Sequence, residues 1–274
     1  TVVNRGTYSV EAFGVQQIKG DRKNASLWQQ ITDDYDAIID FCAYEAHDIS
    51  TVLKNFGKTA KQYIFISTVD VYQHDTQRKK DEQTPLETNF SSDSAGNYIR
   101  GKVLLEQELC AECRQKEMKY TILRPSIIYG PFNYAPRESA YIQLAVKNHI
   151  LPHITDAEGK FQFVYVKDVA NAILSCLLNE NTYQNAFNLC NEIISDYNSF
   201  YEELKQVIDV PVTELKMTVS EALAQNVPLP FPLTAAETQL YANEKSINSL
   251  GMQYTPFSEG LQKTYRAFKN VFCT

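Results

Sequence analysis

The sequence predicts an α/β protein: a doubly wound parallel sheet, then a smaller mixed α/β lobe. Three observations carry this. Residues 36–43 (DAIIDFCA) and 61–67 (KQYIFIS) are apolar runs without alternation, as in strands buried on both faces of a parallel sheet. Such runs take turns with helical stretches over the first 130 residues. After Gly130-Pro131 the texture changes to helices, an alternating strand and a proline-rich segment. In sheets of this kind ligands gather at the carboxyl ends of the strands, where Asp21, Thr68 and Arg124 fall.

The elements follow in order. Thr1-Val2-Val3 ends a strand that turns at Asn4-Arg5-Gly6. A short strand over 14–19 runs into Gly20-Asp21-Arg22, and 26–31 form a short helix with Trp28 and Ile31 on one side. Strand 36–43 precedes a helix over 48–56, with Asp48 as its cap. Strand 61–67 leads straight into Thr68-Val69-Asp70-Val71-Tyr72. The polar residues 73–95 form a long loop, and long loops in compact domains are often functional. A helix over 97–113 and a strand over 120–123 close this half on Arg124-Pro125. Beyond 130, helices are expected over 138–148, 167–178, 197–208 and 258–272, with one or two more in 233–250. Strands are expected over 160–166 and 186–190, and PLPFP at 228–232 is rigid and extended.

Composition excludes several classes. An apolar content of 44% supports a sizeable core. The formal charge of −7 disfavours binding to a phosphate backbone, so a nucleic-acid partner is not expected. No run of eighteen apolar residues exists to span a membrane, and the first ten residues lack a secretory signal layout. Six cysteines scattered among apolar neighbours read as buried thiols, and a cytoplasmic location is expected. Cys110 and Cys113 form a CxxC with no second pair nearby, so no metal site is expected.

The stretch NYIRGKVLLEQELCAEC, residues 97–113, carries the chemistry. Tyr98 and Lys102 stand four residues apart, on one helical face. An ammonium beside a phenol favours the phenolate, and such a phenol can exchange a proton with a substrate hydroxyl or carbonyl. A bare YxxxK is common by chance, so the rest of the chain must support it.

That support is an ordered set: NRG at Asn4, GD at Gly20, ISTVDVY at Ile66, YIRGK at Tyr98, LRPSIIYGP at Leu123 and FQFVYVKDVA at Phe161. Together these resemble the extended short-chain dehydrogenase/reductase superfamily, in its NAD-dependent epimerase/dehydratase branch. The NRG and GDR pattern is most similar to atypical members related to chloroplast stem-loop RNA-binding proteins. The resemblance implies a Rossmann-like region over 1–130 and a substrate lobe over 131–274, with 161–178 returning to the core sheet. It implies that Thr68 hydrogen-bonds the reacting oxygen, with Ser67 as the fallback, and that Tyr98 is the general acid/base. Lys102 would bind the nicotinamide ribose and tune Tyr98. Asp21 would contact adenine, and Ser67 and Pro125 would line the cofactor. Residues 1–3 resemble the family's second strand, and Arg5, which follows them, could pair a 2′-phosphate, which points to NADP over NAD. Relatives commonly dimerise through the Tyr-bearing helix, so a homodimer involving residues 103–105 is expected.

The departures from the pattern matter as much. Asp70 stands where dehydratases carry a catalytic Glu, and Val69 replaces its acidic partner. This argues against dehydration and leaves Asp70 as a loop acceptor near substrate. Ile127 and Phe161 replace the Asn and Arg usual in nucleotide-sugar enzymes, and Arg137 could compensate. The glycine-rich GxxGxxG turn that cradles pyrophosphate is not in the sequence. The expectation is a longer parent that supplies it, or else a protein working without it. Dinucleotide binding by the chain as given is expected to be poor. Two readings therefore stand: an NAD(P)-dependent epimerase or reductase acting on a small molecule, and a non-catalytic RNA-binding or redox-sensing protein on the same fold.

Overall fold

The computed structural model describes residues 1–272 apart from Tyr8, Thr32, 57–59 and Tyr134. In chain order the strands are β1 (Val2–Asn4), β2 (Gln17–Lys19), β3 (Ala37–Asp40), β4 (Gln62–Ile66), β5 (Lys119–Pro125), β6 (Ile127–Tyr129), β7 (Ile150–Ile154), β8 (Phe161–Tyr165), β9 (Asn185–Leu189), β10 (Ile194–Ser195) and β11 (Thr213–Met217). The helices are α1 (Ala25–Gln29), α2 (Asp48–Phe56), α3 (Ser94–Gln115), α4 (Glu138–Asn148), α5 (Val166–Cys176), α6 (Tyr197–Val207), α7 (Val219–Ala224), α8 (Glu244–Leu250) and α9 (Phe257–Phe272).

The central sheet has the order β3-β4-β5-β9, all parallel. Every residue of β4 is buried, which is why its sequence does not alternate. Its side chains still point to opposite faces. Tyr63 and Phe65 pack with Ile49, Val52 and Leu53 of α2 and Leu105 and Leu109 of α3. Ile64 and Ile66 pack with Val169, Ala172 and Ile173 of α5. A separate parallel pair, β1 and β2, lies outside this sheet.

The second half contributes to both parts of the molecule. β9 supplies an edge of the central sheet. The segment 161–178 packs on that sheet through Val164 and α5, while β8 pairs with β6 and β10. The other face of β8 anchors an aromatic core in which Phe163 stacks on Phe257 (4.6 Å) and Phe161 on Phe231 (4.5 Å). Phe231 is how the proline-rich segment is held. The parallel pair β7 and β11 carries Pro152 in one strand and Glu214 and Lys216 in the other, so neither reads as a strand from pattern alone.

α3 positions the candidate site. Its cap is Asp93, whose side chain accepts from Gly96 N at 2.7 Å. Gly96 has no room for a side chain, because a Cβ there would meet the Ser91 carbonyl oxygen at 2.1 Å. Further along, Glu106 is buried and takes both Nε and Nη2 of buried Arg124, at 3.0 and 2.6 Å. Arg124 Nη1 donates to Tyr72 Oη (2.8 Å), and Tyr72 donates to Asn188 Oδ1 (2.6 Å). Asn188 Nδ2 in turn donates to the carbonyls of Lys80 and Ala242, each at 3.1 Å. The helix, the turn after β4, the polar loop and the 239–243 segment are thereby linked.

The cysteine expectation needs two corrections. Cys113, Cys176 and Cys190 are buried free thiols, but Cys110 on α3 is only half-buried, and Cys42 is exposed because β3 has already ended at Asp40. Cys273 lies outside the described residues. No helix among the described residues is long and apolar enough to cross a membrane.

Breaking a buried ion pair by removing one partner leaves an uncompensated charge. Glu106→Ala is therefore expected to cost about 3–5 kcal/mol in urea unfolding. A loss under 1 kcal/mol would mean that Arg124 finds another partner.

Candidate active site

β4 ends at Ile66, and the next two residues keep the ladder and then leave it. Ser67 N donates to Leu123 O at 2.8 Å. Thr68 then caps a one-turn 3-10 helix, Val69–Val71. Its Oγ1 accepts from Asp70 N at 3.2 Å and donates to Asp70 Oδ2 at 2.8 Å. Ser67 Oγ is buried with no hydrogen-bond partner.

α3 brings Lys102 to the same strand end. Lys102 is 2% exposed, and its Nζ donates to Ile66 O at 3.0 Å and Ala43 O at 3.1 Å. The ammonium lies 4.6 Å from the Tyr44 ring centre, 4.8 Å from Phe65 and 6.0 Å from Tyr98. Burial pushes its pKa down to about 8, against the opposing charges of Asp40 and Glu106. Tyr98, one turn earlier, is 41% exposed with its ring 6.4 Å from Tyr44. Ser67, Thr68, Tyr98 and Lys102 thus gather at the carboxyl end of β4 and the first turns of α3.

The other predicted residues are more dispersed. Asp70 opens to solvent yet is crowded by packed protein. That crowding raises its carboxyl above the usual range, outweighing the Thr68 hydrogen bond and the charges of Arg137 and Lys80. Arg137 is half-buried at the start of α4 and makes no side-chain cap. Pro125 is buried at the end of β5 beside Leu189. Asp21 is exposed and accepts from Lys23 N within its own turn, at 2.9 Å. Arg5 is exposed just past β1, with its charge felt at Cys42. Phe161 faces the aromatic core. Val103 and Leu105 are buried, and Leu104 is exposed.

Sequence reasoning missed three charged residues here. Lys80, in the polar loop, is buried, bonded to Gln239 and lowered by burial to about 8. Two adjacent lysines in a polar loop gave no sign of it. Buried Asp40 and half-buried Arg22 form a bidentate pair with both bonds at 2.9 Å. Here a signal existed: one carboxylate inside an apolar run needs a partner. Among the described residues no cluster of His, Cys, Asp and Glu could hold a metal.

For a nicotinamide cofactor the fit differs between its two ends. The partnerless Ser67 Oγ, the Thr68 hydroxyl and the Lys102 ammonium offer polar groups suited to a nicotinamide riboside. The pyrophosphate end has no GxxGxxG turn in this sequence to receive it.

Comparison with known proteins extends this geometry. The family model described as the NAD dependent epimerase/dehydratase family matches residues 1–190. The chloroplast stem-loop binding protein of 41 kDa b from Arabidopsis thaliana is 28% identical over 180 residues, 65% of this chain and 44% of that protein. The chain thus spans under half of that relative's length. Among solved structures, UDP-glucose 4-epimerase from Thermotoga maritima with UDP-glucose aligns at TM-score 0.76 and 18% identity, covering 98% of this chain and 90% of the other. dTDP-glucose 4,6-dehydratase from Bacillus anthracis, in complex with NAD, aligns at 0.75 and 19%, covering 98% and 87%. At these identities the two structures establish the fold.

Burial of Lys102 has a consequence for stability. Its pKa falls from 10.5 to about 8 on folding, so the unfolded chain binds more protons between those values and stability rises with pH across that window. Compared with a Lys102→Met variant, the native chain is expected to gain roughly 3 kcal/mol from pH 8 to 10.5 in denaturant melts. Parallel curves for the two proteins would show that Lys102 is not desolvated.

Proposed function

The chain belongs to the NAD-dependent epimerase/dehydratase family, and from that premise we propose that it is an epimerase or reductase using Thr68, Tyr98 and Lys102 at a carbinol or carbonyl carbon. The single observation that carries the reading is the Lys102 ammonium. It sits on the carbonyl of Ile66, two residues before Thr68, with Tyr98 one turn away on its own helix. A nicotinamide group, when bound, supplies the hydride acceptor or donor. The phenol of Tyr98 exchanges the proton on the substrate oxygen, and the Thr68 hydroxyl donates a hydrogen bond to that oxygen. For Thr68 to do so, its hydroxyl proton must leave Asp70 for the substrate. Lys102 holds the nicotinamide ribose and keeps positive charge beside the phenol.

Elimination of water is not part of this proposal. It needs both an acid and a base after Thr68, and Val69 offers neither. The substrate is a small carbinol or carbonyl compound, with a sugar derivative as the first candidate. Asp70 accepts one of its hydroxyls, and Arg137 lies near enough to influence Asp70. The proposal keeps NADP ahead of NAD because Arg5 is exposed past β1. A homodimer through α3 would cover Leu104, and a monomeric mass in solution would remove that part.

A second reading, RNA binding without catalysis, is favoured by the stem-loop binding relative. The formal charge of −7 weighs against it. One variant separates the two. With NADH and NADPH, a panel of sugar nucleotides, aldehydes and ketones is followed at the nicotinamide absorbance. Tyr98→Phe is expected to lower turnover about 10²–10⁴-fold, the range for loss of a general acid/base. Undiminished turnover would remove Tyr98 from the chemistry. Absence of turnover in both proteins, with tight stem-loop RNA binding in a gel shift, would establish the second reading instead.

A further inference from the structure

We infer that Asp40, with Arg22 set against it, is a positioning residue for Lys102: it shapes the loop that grips the ammonium and supplies the anionic charge that faces it. The inference rests on the reading of Lys102 as part of the active site.

The geometry begins at the end of β3. Asp40 is 7% exposed and closes an apolar strand. Its two oxygens take Arg22 Nη1 and Nη2, each at 2.9 Å, and Oδ2 also accepts from Tyr63 Oη at 2.5 Å. Oδ1 accepts from the backbone N–H of Cys42 at 2.9 Å. That last bond, from a side chain to the backbone two residues on, is an Asx-type turn, and it sets the direction of the chain leaving the strand. The next residue is Ala43, whose carbonyl receives Lys102 Nζ. The carboxylate therefore fixes one of the two oxygens on which the ammonium rests.

Charge adds to shape. Lys102 faces Asp40 and Cys42 from the end of β3, Glu106 and Tyr98 from α3, Arg22 from the turn after β2, and the rings of Tyr44 and Phe65. After burial itself, Asp40 is the largest influence on the ammonium and the main one favouring its charged form. Arg22 acts in the opposite sense, as a like charge. Burial alone would raise the Asp40 pKa, but Arg22, Tyr63 and the Cys42 N–H hold it below the usual carboxylate range, so the carboxylate stays charged where Lys102 titrates. Arg22 is held in place independently. Its Nη2 donates to Asp48 O at 3.0 Å, and its own carbonyl accepts from Trp28 Nε1 at 3.0 Å.

A plain structural tether between the β2 turn and β3 would be weakened alike by loss of either partner. A tuning pair would not. The test is the pH titration of the Lys102 Cε resonance in protein labelled with ¹³C-lysine, assigned with a Lys102→Arg variant. Asp40→Asn is expected to lower the Lys102 midpoint, and Arg22→Gln to raise it. A movement of about half a unit changes the ratio of charged to neutral amine about threefold, which the titration resolves. Opposite movements support the inference. An unmoved midpoint in Asp40→Asn, or the same direction in both variants, overturns it. Should Asp40→Asn fail to fold, Arg22→Gln decides alone: an upward movement supports, and an unchanged or lower midpoint overturns. The measurement needs neither cofactor nor turnover. Failure of the Tyr98 chemistry would show only in the activity assay, and failure of the Asp40 role only here.

Discussion

The grip of two backbone carbonyls on one buried ammonium is the contact on which the arrangement depends. Lys102 sits on α3, Ala43 follows β3, and Ile66 ends β4. Three elements remote in sequence are thus fixed at one point, the carboxyl edge of the central sheet. A lysine costs several kcal/mol to desolvate, and carbonyl oxygens and aromatic faces return only part of that. The protein keeps it 6.0 Å from the centre of the Tyr98 ring, at the end of β4.

A second buried network holds the geometry around that point. Glu106 lies one turn beyond Lys102, on the same face of α3, and clasps Arg124 at the end of β5. Arg124 reaches Tyr72, four residues after Thr68, and Tyr72 reaches Asn188 on β9. Asn188 also holds the backbones of Lys80 and Ala242. Buried ion pairs contribute little net stability compared with well-packed apolar groups, so their value here lies in fixed separation. The helix carrying Tyr98 and the turn carrying Thr68 are braced to each other through atoms that touch neither.

Much of this was readable in the residues, for physical reasons. The runs 36–43 and 61–67 showed a parallel sheet because strands buried on both faces cannot alternate. Tyr98 and Lys102 were visible because four residues make one helical turn. The segment 161–178 was less legible: periodicity gave a strand and a helix, but not that the strand would pair with β6 and β10 while Val164 and α5 pack on the central sheet. β7 and β11 were hidden, one by Pro152 and the other by its charged residues. Lys80 was hidden because its burial comes from a contact with Gln239, 159 residues away. Asp40 could have been found. A carboxylate in the middle of AIIDF is costly without a cation, and Arg22 stood in a segment already marked as a turn at the same edge of the molecule.

The central claim is that this strand end, with Lys102 at its focus, receives the nicotinamide half of a cofactor. Saturation-transfer difference NMR with NADH and NADPH tests it directly and works at weak affinity. The account predicts that the nicotinamide ring and its ribose receive more saturation than the adenine, and that Lys102→Met abolishes that pattern. Saturation concentrated on the adenine, or a pattern unchanged in Lys102→Met, would contradict it.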